Sequence, residues 1–437
     1  MKSKEFPNIP VKFDNGFPEG FRPWVPSWSV DKDDLDERLE DGTPTLTQLD
    51  ISIPNPDFAE AVNAGKDLQE MNTIYRLRYQ ELACGVGCKN CFDCRTTIQG
   101  PLMTTNEVLT MIKEAKELGV KTMKFLGPGE LLHNRDLFKI LDFIKEQGIN
   151  FGIFTKGVAL GDDTIPMEKF GMTAKELCEK LAEYDNVSIL LSLTSADRET
   201  DMKRNTPHNE QFKNIFDIRN KAFENLAEVG LNSDPNNQRL ALICAPVLND
   251  NIDEVLEIYE WALARNIPTV IAPTMCSGKG KEMPEIKDEQ FKQVDLVDLY
   301  VDIYTMIIRK KILTVTQIEE EGISPYAGYA CNQFIGGMFV RSDGRIQGCP
   351  GNEAFSYGTD VRKEGLKEVW KRSTGHKLRQ EMAERGTTKL TQPCYAKTEN
   401  LIQIDGAPVV KKGEGSITEG FYERVMAGVR AKVGEVI

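Results

Sequence analysis

From about residue 104 the chain repeats one pattern: apolar positions at 3.6-residue spacing, a glycine, then a short apolar run. Thr104-x-x-Glu107 forms a capping box ahead of Val108, Leu109, Met111, Ile112, Ala115 and Leu118. Gly119 ends that predicted helix, and residues 120–126 read as a strand. Leu137, Ile140, Leu141 and Ile144 make the next helical face, stopped by Gly148 before a strand over 151–155. Thr173-x-x-Glu176 caps another helix, followed by the apolar run 187–193. Residues 216–229 and 255–264 are helical in pattern, and 240–245 and 269–272 are their strands. Continuous apolar strands alternating with helices predict an α/β fold with a parallel sheet buried on both faces. With the segment around Tyr79 counted as the first strand, six strands are predicted, a partial (βα)6 barrel. A full eight-stranded barrel would need about two further units.

The flanks have a different texture. Residues 1–70 are rich in Pro, Asp and aromatic residues (Phe17, Phe21, Trp24, Trp28) and read as an N-terminal extension. It is either a strap over the barrel or a mobile tail, and the aromatics favour the strap. The barrel is expected over 71–280 and a charged helical connector over 281–325. Residues 326–400 read as a small α+β domain. There 338–340, Ser342-Asp343-Gly344 and 345–347 read as a β-hairpin, with a short helix over 366–370. Residues 401–437 form a tail with a helix around 422–433.

Composition narrows the function classes. The chain has 437 residues, 40% apolar and 28% charged, which fits a globular protein with a sizeable core. Its net charge of −13 disfavours nucleic acid as a partner, because phosphate contacts need cationic surface. The N-terminus lacks the apolar stretch of a secretory signal, and no apolar run reaches about 18 residues, so no membrane span is expected and a cytoplasmic location is. Cysteines in a reducing compartment point to metal or catalysis rather than to disulfides.

The ten cysteines are unevenly spread. Cys84, Cys88 and Cys91 are spaced C-x3-C-x2-C on a glycine-bearing loop in ELACGVGCKNCFDC. Structural zinc takes four closed ligands, often as two distant C-x2-C pairs. Three thiolates leave a coordination position open for substrate or cofactor. Cys94 makes Cys88, Cys91 and Cys94 an alternative triad. Cys178 and Cys244 fall in a predicted helix and strand and read as core.

The first triad, in a βα partial barrel, resembles the radical S-adenosylmethionine enzymes. The resemblance implies that Cys84, Cys88 and Cys91 hold a 4Fe–4S cluster whose fourth iron binds S-adenosylmethionine. An aromatic residue usually precedes the third cysteine; here Asn90 does, and Phe92 follows. Gly127-Pro128-Gly129-Glu130, after the second strand, resembles the family's GGE segment, implying that Gly127, Gly129 and Glu130 hold the methionine amino group. Taken alone it would be an ordinary turn. Thr155-Lys156-Gly157 stands where relatives often carry T-N-G. The resemblance implies that Ser192 and Ser195 serve the ribose or the methionine carboxylate and Arg204 the carboxylate. It also places Pro246 and Asn249 near the adenosyl part. For Ser195 and Arg204, a purely structural or surface role stays open.

Cys331, Cys349 and Cys394, around the hairpin and the Trp370-bearing helix, resemble the twitch module, the short form of the SPASM domain. This implies an auxiliary 4Fe–4S cluster. Relatives often supply a fourth cysteine three residues after the third; here Lys397 stands there, so the cluster either keeps an open iron or takes a fourth ligand from elsewhere, with Cys276, a substrate atom or a non-thiol side chain as candidates. Buried structural thiols are the simpler alternative for this set.

The expected activity is reductive cleavage of S-adenosylmethionine and hydrogen abstraction from a substrate at the barrel mouth, fed by a flavodoxin- or ferredoxin-type electron donor. The auxiliary cluster would accept an electron or anchor substrate. A small-molecule substrate is favoured over a short peptide, because residues 1–70 lack the winged-helix pattern of a leader-recognition domain. A non-catalytic iron–sulfur carrier is the alternative of another class, and the ordered strand-end segments count against it.

Overall fold

A computed structural model of the chain describes residues 4–14, 16–28, 33–207, 212–272, 278–282, 296–321, 333–350, 356–384, 403–404, 407–408 and 421–434. The strands needed below are β1 (Gln48–Ser52), β2 (Val86–Cys88), β3 (Thr122–Gly127), β4 (Asn150–Thr155), β5 (Val187–Ser192), β6 (Asn205–Pro207), β7 (Leu240–Cys244), β8 (Thr269–Ile271), β9 (Gly337–Val340), β10 (Arg345–Gln347) and β11 (Ser356–Asp360). One nine-stranded sheet runs β11-β10-β9-β1-β3-β4-β5-β7-β8. Its run from β1 to β8 is parallel throughout, six strands as expected. Both predicted capping boxes form, at Thr104 and Thr173, and start helices Thr105–Glu117 and Ala174–Ala182.

The first strand is not where the apolar pattern put it. Residues Tyr79–Cys84 form a π-helix, and the first parallel strand is β1, inside the supposed N-terminal extension. β1 alternates: Leu49 and Ile51 join the main apolar core, while Gln48, Asp50 and Ser52 take the opposite, inner face. A half-polar strand in a Pro- and Asp-rich stretch does not read as a continuous apolar run. The barrel sheet therefore begins at Gln48, not after residue 70.

The hairpin is the second departure from the expected layout. β9 pairs parallel with β1, and β10 pairs antiparallel with β9. The C-terminal hairpin extends the barrel's own sheet instead of forming a separate one. The helix Leu366–Arg372 docks the module further, with Trp370 fully buried and its indole N–H donating to the Pro44 carbonyl at 2.6 Å.

The aromatic extension is a strap, and its far end is a plug. Phe6 stacks on Trp261, and Phe13, Phe17 and Phe21 form a mutual cluster. Val25 and Trp28 then pack with Leu190, Ala241, Ile243 and Val270 on the sheet's inner face. A Cβ on Gly152 would meet Ser27 Oγ at 2.8 Å, so only glycine lets the plug come this close. The Lys124 ammonium, on β3 inside the barrel, lies 2.9 Å from Asp50 and donates to the Trp28 carbonyl at 3.0 Å. No described helix is long and apolar enough to cross a membrane.

Candidate active site

The C-terminal ends of β3, β4 and β5 bring their loops to one mouth, the end at which parallel sheets present ligand sites. The cysteine loop lies over it. It leaves the π-helix at Gly85, whose φ of 71° is in the left-handed region; a Cβ there would meet Phe212 at 2.5 Å. β2 then pairs antiparallel with β6, setting Cys88 opposite Asn205. The Cys84 thiol donates to the Val86 carbonyl at 3.0 Å, and the Cys94 amide donates to Cys91 Sγ at 3.2 Å. Cys84, Cys88 and Cys91 are half-buried, whereas Cys94 is buried among apolar side chains.

The GPGE loop is fastened directly onto this cysteine loop. The Glu130 amide donates to the Ala83 carbonyl at 2.9 Å, and the Gly129 amide donates to the Tyr79 hydroxyl at 3.0 Å. Gly129 has a φ of 72°, and a Cβ there would lie 2.0 Å from Ala83 O, so the approach demands glycine. A free surface turn would need none of this. Glu130 is buried and bridges to β4, accepting from Thr155 Oγ1 at 2.5 Å and from the Lys156 amide at 2.9 Å. Burial pushes its carboxyl up to about 7, against those hydrogen bonds and the nearby Lys156 ammonium. The Lys156 ammonium donates to Ser192 Oγ at 3.0 Å across the mouth.

The thiol chemistry suits a cationic cluster. Burial pushes Cys84 well up, helped by the neighbouring Cys88 and Cys91; burial likewise raises Cys88. A hydrogen bond involving Cys94 raises Cys91. Thiolates in such a place need a counter-charge, which bound iron supplies. Among the described residues no three Cys, His, Asp or Glu side chains converge on a point that would suit one metal ion. The residues present fit the group.

Other candidates are placed as follows. Gly127, Gly129, Glu130, Thr155 and Ser192 lie together at the mouth. Ser195 is fully buried and committed to the Glu254 carboxylate, so its hydroxyl serves the protein's own packing. Arg204 is also committed: its guanidinium holds both Asp250 oxygens and donates to the Pro246 carbonyl at 2.8 Å. Cys178 and Cys244 are buried core thiols, as expected. Cys349 is half-buried after β10. Cys276, Cys331, Cys394 and Lys397 lie outside the described residues.

Tyr79 and Lys156 were not read as site residues. Lys156 had a signal, since it interrupts the family-like T-N-G. Tyr79 had none, because its helix reads as a strand.

Comparison with known proteins agrees with this geometry. Residues 82–262 match the Radical SAM superfamily. A curated relative, "Probable GTP 3',8-cyclase" from Methanococcus maripaludis, is 31% identical over 109 residues, 25% of this chain and 33% of that protein. The match thus spans only a third of that relative's length. Among solved structures, native anSMEcpe with bound AdoMet aligns over 89% of this chain and 97% of its own, with a TM-score of 0.53 at 12% identity. Streptococcus suis SuiB bound to precursor peptide SuiA aligns over 87% of this chain and 77% of its own, with a TM-score of 0.50 at 15% identity. At such identities these structures establish likeness of fold alone.

Proposed function

Because residues 82–262 belong to the Radical SAM superfamily, we propose that this enzyme abstracts hydrogen from an organic substrate at the barrel mouth. Cys84, Cys88 and Cys91 would hold the 4Fe–4S cluster, with Gly127, Gly129, Glu130, Thr155 and Ser192 around S-adenosylmethionine. When bound at these residues, the cluster and S-adenosylmethionine would supply hydrogen-abstracting radical chemistry by reductive carbon–sulfur cleavage. The chain's own contribution is to bind, orient and exclude water. Ionised Glu130 takes the methionine ammonium as a charge-assisted partner. Thr155 and the Lys156 amide hold that carboxylate in one orientation. The Trp28 plug closes the barrel from within, which protects a radical from stray hydrogen donors.

The observation that carries this reading is the direct fastening of the GPGE loop to the cysteine loop, through Glu130 to Ala83 and Gly129 to Tyr79. An electron carrier has no use for that link. The test is 5′-deoxyadenosine formation by anaerobically reconstituted protein with a chemical reductant and no added substrate. Slow formation supports the reading; its absence in protein holding iron and sulfide supports a carrier.

For the substrate, a small molecule is the first reading, in line with the nucleotide cyclase named among the relatives. A short peptide is the second, favoured by solved neighbours that hold peptides. Stimulation of 5′-deoxyadenosine release by a dialysable metabolite fraction, and not by peptides, would decide for the first; the reverse decides for the second. Cys331, Cys349 and Cys394, with Cys276, are proposed to hold an auxiliary 4Fe–4S cluster. A flavodoxin- or ferredoxin-type protein is the proposed electron donor, in the cytoplasm.

A further inference from the structure

Asp93 sits between Cys91 and Cys94 and is 1% exposed. One carboxylate oxygen accepts from the Tyr75 hydroxyl at 2.8 Å. The other, Oδ1, makes no hydrogen bond among the described residues and faces Arg341 Nη2 at 3.5 Å. Arg341 is 3% exposed and comes from the turn between β9 and β10, 248 residues further along the chain. The contact is not isolated. Phe92 meets Phe339 of β9 edge-on at 6.3 Å. The Gln99 amide donates to Asp343 at 2.8 Å, the Met103 amide donates to the Ser342 carbonyl at 2.8 Å, and Arg345 donates to the Thr97 carbonyl. The whole exit of the cysteine loop is laid along the hairpin of the C-terminal module.

Tyr79 continues the chain of contacts inward. Its hydroxyl accepts from the Gly129 amide and lies 4.0 Å from Cys91 Sγ. One connected set of groups therefore runs from the hairpin through Arg341, Asp93, Tyr75 and the Tyr79 ring packed against it to the third cysteine and to the GPGE loop.

We propose that Arg341 is a positioning residue of the radical site: the C-terminal hairpin clamps the third cysteine and the S-adenosylmethionine loop through the buried Arg341–Asp93 pair. Removing Arg341 takes away the group that Asp93 Oδ1 faces, whereas changing both side chains removes that mismatch. The hairpin is then a wall of the first cluster's site, whatever its own cysteines bind. This inference rests on the assignment of Cys91 as a cluster ligand.

The test compares wild type with Arg341→Met, Arg341→Lys, Asp93→Asn and the Arg341→Met/Asp93→Asn double variant, all as full-length, anaerobically reconstituted protein. The readout is the EPR signal that changes on adding S-adenosylmethionine, which isolates the barrel cluster from any other, together with its midpoint potential. Arg341→Met is expected to lose half or more of that signal, or to hold it at a more negative potential, because a nearby positive charge is gone. Asp93→Asn, which breaks the same contact, is likewise expected to lose signal. The double variant returns towards wild type, and Arg341→Lys keeps most of the signal. A merely structural role would lower Tm in the single variants and leave the potential where it was. Wild-type signal and potential in both single variants overturn the proposal. If wild-type protein shows no responsive signal at all, the assignment of the first triad fails instead, and the two failures are told apart.

Discussion

The two ends of the barrel interior use buried polar groups in opposite ways. Towards the closed end, the Lys124 ammonium reaches Asp50 and the Trp28 carbonyl, and Val25 and Trp28 pack over the inner face of the sheet. At the mouth, three thiols, the Lys156 ammonium and Ser192 stay half-buried, and burial holds the Glu130 carboxyl near neutral pH. The plugged end is covered by the chain's own residues, and the mouth presents groups able to receive charge. Substitutions should therefore separate: changes at the plug cost stability, and changes at the mouth cost ligand binding and turnover.

The largest expected effect is at the mouth. Cys88→Ala should reduce 5′-deoxyadenosine formation by at least about 1,000-fold, because the first cluster is lost, while Tm moves little. Retained cleavage would move the site to the alternative triad with Cys94. At the plug, Lys124→Met leaves Asp50 buried without its counter-charge. It should cost about 3–5 kcal/mol in denaturant unfolding, with iron content per folded chain unchanged. Lost iron in folded protein would erase the distinction between the two ends.

A smaller effect tests the mouth's readiness for charge. Glu130→Gln should weaken S-adenosylmethionine binding by about 10–100-fold, the scale of one charge-assisted hydrogen bond. The sign of the pH dependence follows from a carboxyl raised from 4.5 to about 7. Below pH 7 the empty site holds the neutral acid, so binding of the ammonium should strengthen from pH 6 to pH 8. The folded chain keeps a proton that the unfolded chain has released, so cofactor-free stability should fall as pH rises from about 4.5 through about 7. Both trends should flatten in Glu130→Gln; an unchanged slope would place the titration elsewhere. The smallest effect is the control. Cys244→Ala, a core thiol on β7, should cost about 1 kcal/mol and no iron.

Much of the barrel was legible because β3, β4, β5 and β7 are near-continuous apolar runs and the two capping boxes are local signals. β1 was not, since Gln48, Asp50 and Ser52 carry its inner face. The Tyr79 segment does not read as a π-helix because six residues are too few for a period to tell it from a short strand. With β1 missed, the parallel pairing of β9 onto it could not be foreseen. Motif order pointed to the cysteine triad, Glu130 and Thr155, and the fold sets Glu130 and Thr155 against each other at the mouth. Ser195 and Arg204 were overread: each lies near a strand end, but Glu254 and Asp250 already occupy them. Asp93 and Arg341 left no trace, because a pair 248 residues apart is set by topology and not by spacing.

The central claim is that Cys84, Cys88 and Cys91 hold a redox cluster at the mouth that binds S-adenosylmethionine. The most direct measurement is Mössbauer and EPR spectroscopy with iron and sulfide analysis on anaerobically purified wild type and the Cys84/Cys88/Cys91 triple-alanine variant, each with and without S-adenosylmethionine. The account predicts a four-iron signal in wild type that shifts on adding S-adenosylmethionine, and loss of about four irons and of that shift in the variant. Zinc in place of iron, or an S-adenosylmethionine-responsive cluster that survives in the variant, would contradict it.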